Sequence, residues 1–510
     1  MKKLKWFLLF LILSLAFLLG ARMILSGDFY YLFDQARDLL LTRSIVNDHT
    51  LMLIGNQSGL GGFFHGPLWI YLLVPFFALF KGNPFFLAYF YIGLELFTVF
   101  AAYFVGSKLY GFKGGILISL LVALSPAIWS PVANTVGADM EPLVYLGLFY
   151  FIVKFLRGDL KSFIFVSFFT GFALQFETAS SLVLIPSVIL LLILNRAVLK
   201  NIKVMFLSLI AFMLSISTFI LFDLRHKFLM LHAIIGAFSG GSKGKGYLEL
   251  GNRLIDHLNN LLGVYKDLLF KENFLLILFL AAILIFGLLL FLKSKKSKYK
   301  KEFFVLLFFP VLPFIFFMLY PYSVWPEYVF GLLIPAAIAF YLAIIIVWKN
   351  VFGKVLIVLF FALTFLNVFV FLQNQYLQKY PQLNSAGLYK NQEAVVQWVY
   401  KDAGNGKFGY FVYTPEIFTH GMDYLFYWYG KNNTKTVFEN QKDKITYLIL
   451  YPHLANDNGA YAFWKKNVIR TNGKILLTKN FYGGIIVEKL LIEKPEPPVD
   501  PNYYQGLIFR

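Results

Sequence analysis

Cysteine is absent from all 510 residues. That absence excludes a disulfide framework, a thiolate metal site and a cysteine nucleophile, and it lets the chain face an oxidising compartment without hazard. Charge is scarce too: 14% of residues are Asp, Glu, Lys or Arg, against 59% hydrophobic residues that include 60 Phe. Such a balance excludes an ordinary soluble globular protein. Basic residues are missing from particular places. The short polar stretches 132–141, 175–180 and 320–328 hold no Lys or Arg at all. A small-x-small cleavage site is also lacking after the basic start (residues 1–5) and the apolar run 6–21, which therefore reads as an uncleaved first helix beginning in the cytoplasm.

Apolar runs close to the ~20 residues that cross a bilayer fill most of the rest. They begin near Trp6, Phe85, Gly115, Pro142, Phe163, Ser180, Val204, Asn273, Phe303, Val329 and Val355, about eleven spans by hydropathy. If residues 67–80 form a helix in the outer interface, as short segments with Trp and Tyr do, the basic loops fall on one side. Lys108 and Lys113, then 154–161, 196–203, 293–301 and 349–354, join Lys2, Lys3 and Lys5 there. The basic-free stretches fall on the other. This is the positive-inside asymmetry, and making 67–80 a full span would invert every later loop. The net charge of +19 is thus an orientation signal, with no nucleic-acid partner implied.

The fold class expected is mainly α: a polytopic transmembrane bundle over 1–372, with outer loops 26–84 and 223–272, and a small extracytoplasmic α/β domain with a tail over 373–510. In the latter, a helix is predicted from Asn391, a strand over 408–413 and a helix after Pro415. The runs "ITYLILY" and "GGIIVEKLLI" predict further strands, and "EKPEPPVDP" an extended end.

On this topology the ionisable residues most awkward for a membrane protein share one level. Asp28, Asp34, Arg37, Asp38 and His65 lie in the first outer segment, Asp139, Glu141 and Glu177 in short outer loops. Asp223, Arg225 and His226 stand at the exit of one span and Glu327 at the exit of another. Their convergence implies an outward-facing acidic cavity. Each also has a plainer reading. Asp34 and Asp38, one turn apart, suit the solvated face of an interfacial helix; His65 in "FFHGPLW" suits a loop residue before a helix; Asp139 and Glu141 suit the first turn of a helix, whose dipole favours acids. Glu95, inside a span, reads as a structural contact.

The order of these features resembles the GT-C membrane glycosyltransferases, nearest the protein O-mannosyltransferase and lipid A aminoarabinose transferase branch. The likeness rests on "FDQARD" opening the first outer loop, "HGPL" opening an interfacial helix and "NTVGADMEPL" at the outer start of the fourth span. It covers the layout of residues 1 to about 372. Members commonly have Asp-Glu where this chain has Asp34 and Gln35, and Pro-Pro-Leu where it has Gly66, Pro67 and Leu68.

The resemblance implies transfer of a sugar, hexose or pentose, from a polyprenyl-phosphate donor on the outer face of the cytoplasmic (plasma) membrane. The acceptor would be a protein, lipid or glycan, and the partners would include membrane lipid. Asp34 carries over as the catalytic carboxylate and His65 as a ligand of the donor phosphate. A divalent metal is left open, with Asp34, Asp139 and Glu141 as its candidate ligands. The chemistry is consistent: a carboxylate can take the acceptor proton as an oxocarbenium-like centre develops, and a single one suits inversion. The leaving phosphate wants Arg or His nearby, for which Arg37, His65, Arg225 and His226 are available; Asp139, Glu141, Glu177 and Glu327 complete the expected substrate-binding set. A transporter or lipid flippase using the acidic cavity is the competing reading, and a non-catalytic scaffold the third.

Overall fold

In a computed structural model the chain is described over residues 2–58, 62–129, 136–238, 248–266, 273–295, 297–319, 323–377, 384–414, 419–433, 437–439, 441–452 and 459–500. The apolar start forms one helix, Lys2–Leu25, stopped at Gly27, which adopts positive φ. Among the described residues, five helices are long and apolar enough to cross a membrane: Lys3–Leu25, Phe86–Leu124, Phe274–Lys293, Glu327–Val347 and Val351–Tyr376. A sixth is added if Ile202–Ser215 and Ser217–Arg225, bent by 63°, form one broken span. The chain thus reads as an integral membrane protein.

The expected count of about eleven is larger, and two features account for most of the difference. Several apolar runs form helices too short to qualify, among them Ser162–Ala173 and Thr178–Ile193. The 39-residue Phe86–Leu124 helix is also not one rod. Gly111 sits at φ 76° and ψ −176°, outside helical space, and a Cβ on Gly106 would meet the carbonyl of Gly114 at 2.8 Å. Eight residues along a straight helix would stand about 12 Å apart, so the segment folds back at Gly111 into two arms. Those arms correspond to the runs that begin near Phe85 and Gly115.

Two helices follow the first membrane-length helix, Phe33–Asn47 and Leu68–Leu79. Phe33–Asn47 starts without a Ser, Thr, Asp or Asn cap; the Gln35 side chain turns back instead and accepts from the Leu32 N–H at 2.7 Å. Leu68–Leu79 follows Pro67 and packs on it, burying Trp69, Ile70 and Leu73. Glycine is needed at position 66, where a Cβ would collide with Gln175.

The C-terminal part is a five-stranded sheet in the order β2-β1-β3-β5-β4, formed by β1 Phe408–Tyr413, β2 Val437–Glu439, β3 Ile445–Leu450, β4 Lys474–Asn480 and β5 Ile486–Leu491. β1 runs parallel to β2 and β3, whereas β5 is antiparallel to β3 and β4. The near-continuous apolar runs of β1 and β3 match their buried central places. β4 is an exposed edge carrying Lys474 and Lys479; neither it nor β2 was legible as a strand in the sequence. Helices Tyr389–Ala403 and His420–Asn433 pack together beside the sheet. The second starts later than the predicted position after Pro415, which lies outside the described residues.

This sheet domain is tied to residues 28–82. Tyr31 donates its N–H to the Gly387 carbonyl at 2.7 Å, Gln392 donates to the Tyr31 carbonyl at 2.6 Å, and Tyr424 donates to the Gly82 carbonyl at 2.6 Å. Lys390 pairs with the buried Asp28, and His420–Asn433 packs directly on Phe33–Asn47.

Candidate functional site

The helix Phe33–Asn47 brings Asp34, Arg37 and Asp38 onto one face, since residues three and four apart are neighbours there. Arg37 donates from Nε and Nη2 to Asp38 Oδ1, at 3.0 and 2.8 Å, and from Nη1 to Asp34. Trp69 Nε1 donates to the other oxygen of Asp38 at 2.8 Å. Asp38 is thereby locked, with its side chain 2% exposed, while the Asp34 side chain keeps 29%. Burial lifts the Asp38 pKa above its usual value, against the pull of Arg37 and the Trp69 N–H. The two carboxylates raise that of Arg37 further, so the guanidinium stays charged. Arg37 is one of the expected phosphate ligands, and its fork is occupied by these two acids.

His65 sits at the end of a tight loop held by Gly55 N–H to the His65 carbonyl at 2.8 Å and His65 N–H to the Asn56 carbonyl at 2.9 Å. Its Nδ1 faces the Thr178 N–H at 3.4 Å; a backbone N–H can only donate, so Nδ1 accepts and Nε2 carries the proton. Burial, with Arg37 nearby, drives the His65 pKa down to about 3. His65 is therefore a neutral donor, where the sequence suggested a phosphate-neutralising cation.

The carboxylates divide into two groups. Glu177 caps the next helix by accepting from Ala179 N–H at 2.9 Å and lies 3.9 Å from His65 Nδ1. Burial pushes its pKa up to about 7, helped by the negative charge of Glu327. Asp139 accepts from Val136 N–H at 3.0 Å, and burial together with Glu327 raises its pKa as well. Glu327 is thus close enough to feel both. Asp139 and Glu95 line a cleft of about 280 Å³ with Tyr91, Thr98 and Phe330. Glu141 has a different setting: it is fully buried, with one oxygen taken by Ser180 and the other by the Gly331 N–H at 3.0 Å. It braces three helical segments.

Arg225 and His226 are exposed. His226 Nδ1 donates to the Phe222 carbonyl at 2.8 Å and its ring stacks on Phe222, which in turn packs edge-on against Phe64, next to His65. Asp223 accepts from the Met230 and Leu231 N–H groups and starts the next helix. Part of the "NTVGADMEPL" motif, Asn134 and Thr135, lies outside the described residues.

His420, at the start of its helix, is a residue that the sequence did not single out. It is 4% exposed. Its pKa is driven down to about 4, first by burial and then by Arg37, with Asp34 pulling the other way, so it lies within electrostatic reach of both. Beside it, Tyr31, Leu32 and Phe33 face Thr419, Gly421 and Tyr451 across an open cleft of about 280 Å³. Only the chain order "TH" before an amphipathic helix marks His420 in the sequence. Its partners lie nearly 400 residues away.

Among the described residues no three His, Asp, Glu or Cys side chains come together as metal ligands. Two of the candidate ligands are already partnered within the protein, Asp34 by Arg37 and Glu141 by Ser180 and Gly331.

Comparison with known proteins gives similarity in structure only. No protein-family model and no curated protein matches the chain. It is similar to the crystal structure of the Archaeoglobus fulgidus oligosaccharyltransferase in complex with Zn and sulfate, with TM-score 0.49 and 12% identity over 84% of this chain and 62% of that one. It is also similar to the archaeal oligosaccharyltransferase AglB from Archaeoglobus fulgidus in complex with an inhibitory peptide and a dolichol-phosphate, with TM-score 0.47 and 9% identity over 83% of this chain and 64% of that one. The chain spans less than two thirds of the length of those structures.

Proposed function

We propose that this protein is a GT-C-type membrane glycosyltransferase that moves a sugar from a polyprenyl-phosphate donor to a hydroxyl or amine acceptor at the outer face of the membrane. The observation that carries the reading is the state of Asp34: it is the accessible member of an otherwise buried network in which Asp38, Trp69 and Arg37 fix its direction. A carboxylate oriented in this way and still partly open to solvent is what a general base needs. Asp34 takes the acceptor proton while the acceptor atom bonds to the anomeric carbon. The bond from that carbon to the phosphate oxygen breaks on the opposite side, and polyprenyl phosphate leaves with the electron pair. One base and one displacement give inversion.

The His65 Nε2–H, with Arg225 and His226 next to its loop, supplies donors for the leaving phosphate. His420 reaches the same centre from the sheet domain and helps to hold Asp34 and Arg37. Residues 1–372 would form the catalytic membrane domain and 373–510 an outer domain that closes over it, with the N-terminus in the cytoplasm and the whole in the plasma membrane. The decisive experiment incubates the purified, reconstituted protein with labelled polyprenyl-phosphate hexoses and pentoses. Transfer or donor hydrolysis that depends on Asp34 supports the reading. No turnover with any donor overturns it in favour of a transporter or flippase.

A further inference from the structure

The helix Leu250–Lys266 has three chemically distinct faces, and one of them is bonded to its neighbours in the bundle. At about 100° per residue, Arg253, Asp256, His257, Asn260 and Val264 fall on one side. That side is tied to the bundle: Arg253 Nη1 donates to the Met318 carbonyl at 2.9 Å, Asn260 to the Val324 carbonyl at 2.7 Å, and Asp256 accepts from Ser323 Oγ at 2.9 Å and Val324 N–H at 3.1 Å. His257 and Val264 are buried there. These bonds fix the rotation of the helix about its own axis.

With the rotation fixed, Leu250, Leu254, Ile255, Leu258 and Leu262 fall within an arc of about 140° on the outward side, and all are exposed, from 43% for Leu258 to 68% for Leu250. Asn252, Asn259 and Lys266 occupy an adjoining arc of about 40° and are exposed as well. A helix between protein and water needs two faces. Within the apolar arc Leu261 and Tyr265 are only half-exposed, and Tyr265 donates its hydroxyl to the Leu307 carbonyl at 2.5 Å, so they mark where this side meets the bundle; the five exposed aliphatic residues beside a polar arc are what a helix lying in a membrane interface presents.

The surroundings name the occupant of that face. The helix packs on Val311–Phe317, on Pro326–Leu332 and on Leu333–Val347, so it lies beside one end of a membrane-spanning helix. The residues adjoining its anchors, Leu319 and Trp325, are each 62% exposed and continue the apolar surface. Tryptophan at such a level belongs to the membrane interface.

We infer that Leu250–Lys266 lies along the outer surface of the bilayer, with its leucine face on phospholipid acyl chains and Asn252 and Asn259 toward water. The bonds to Ser323 and Val324 then hold the lipid surface level with residues 323–325, next to Glu327. The inference does not depend on the reaction proposed above.

The absence of native cysteine makes the test direct. Leu254→Cys, Leu258→Cys, Asn252→Cys and Asn259→Cys are made singly in the full chain, spin-labelled, and reconstituted in phosphatidylcholine vesicles, and the label's collisions with oxygen and with a water-soluble nickel chelate are compared. Oxygen should dominate at 254 and 258 and nickel at 252 and 259. Nickel access at all four sites would put the helix in water and overturn the inference. Exclusion of both reagents at 254 and 258 would mean a protein partner or second copy covers the face, which overturns it equally. All four positions are exposed, so loss of folding is not expected to obscure the result.

Discussion

Asp34 and Asp38 stand one turn apart with the same side chain, and the structure gives them different work, which a matched pair of substitutions can separate. Asp34→Asn preserves size and removes the base. Its ion pair with Arg37 is partly exposed, so its stability cost should be at most about 1 kcal/mol. Its effect on transfer should be a loss of about 10²–10⁴-fold, the usual range for a positioned general base, or about 3–5 kcal/mol of barrier. Asp38→Asn does the reverse. It takes the negative partner from two Arg37 contacts and one Trp69 contact at a site 2% exposed. Breaking a buried pair on one side costs about 3–5 kcal/mol, so this variant should lose membrane abundance and melt earlier, with the transfer rate of whatever folds falling less than for Asp34→Asn. The assay is transfer rate per folded molecule beside thermal melting in detergent. If Asp34→Asn transfers normally, the base assignment is wrong; if Asp38→Asn melts like the parent, the buried network does not carry the load described.

Other outcomes follow from the same geometry. Glu177 has its folded pKa raised from 4.5 to about 7, so its contribution to stability is full below its unfolded pKa and is lost as pH rises through about 7; Glu177→Gln should flatten the fall in melting temperature between pH 5 and 8, and an unchanged slope would assign the loss elsewhere. His65→Ala removes one donor to a charged phosphate, worth about 1.5–3 kcal/mol, and should raise the donor KM by about tenfold or more with membrane abundance held; an unchanged KM removes His65 from the site. His420→Ala should lower kcat without lowering abundance if the sheet domain completes the active centre, whereas a change in melting alone would make it a packing residue. Accessibility tags near Lys298 should report the cytoplasm and tags near Asn432 the outside; a cytoplasmic sheet domain would dismantle the topology and the site with it.

Local pattern carried much of the architecture. Hydrophobic runs are properties of the chain read along its length, and from them the membrane character and the helix Leu68–Leu79 were legible. So were β1, β3 and β5, whose apolar runs end at turn residues. The face shared by Asp34, Arg37 and Asp38 needed only helical periodicity. Hydropathy does not register where a run is broken, so it could not show which apolar segments make helices long enough to span; the fold-back at Gly111 and the 63° bend between Ile202–Ser215 and Ser217–Arg225 are backbone events. β4 was hidden for another reason: an exposed edge strand has no buried face to impose an alternation.

What only the tertiary structure decided is which polar groups meet and in what state. Sequence offered Asp139, Glu141, Glu177 and Glu327 as substrate-binding acids without ranking them, but packing made Glu141 a brace between helices and put Asp139 and Glu177 on the backbone N–H groups of Val136 and Ala179, within electrostatic range of Glu327. His65 looked like a cation until its burial was known, because the cost of charge depends on the solvent removed around it and not on the residue type. His420 comes within electrostatic range of Arg37 and Asp34 because the C-terminal sheet docks on residues 31–82 through Tyr31, Gln392 and Tyr424. Periodicity is a short-range property that the sequence determines by itself; proximity across nearly 400 residues, and the dielectric that sets protonation, exist only once the chain has closed on itself.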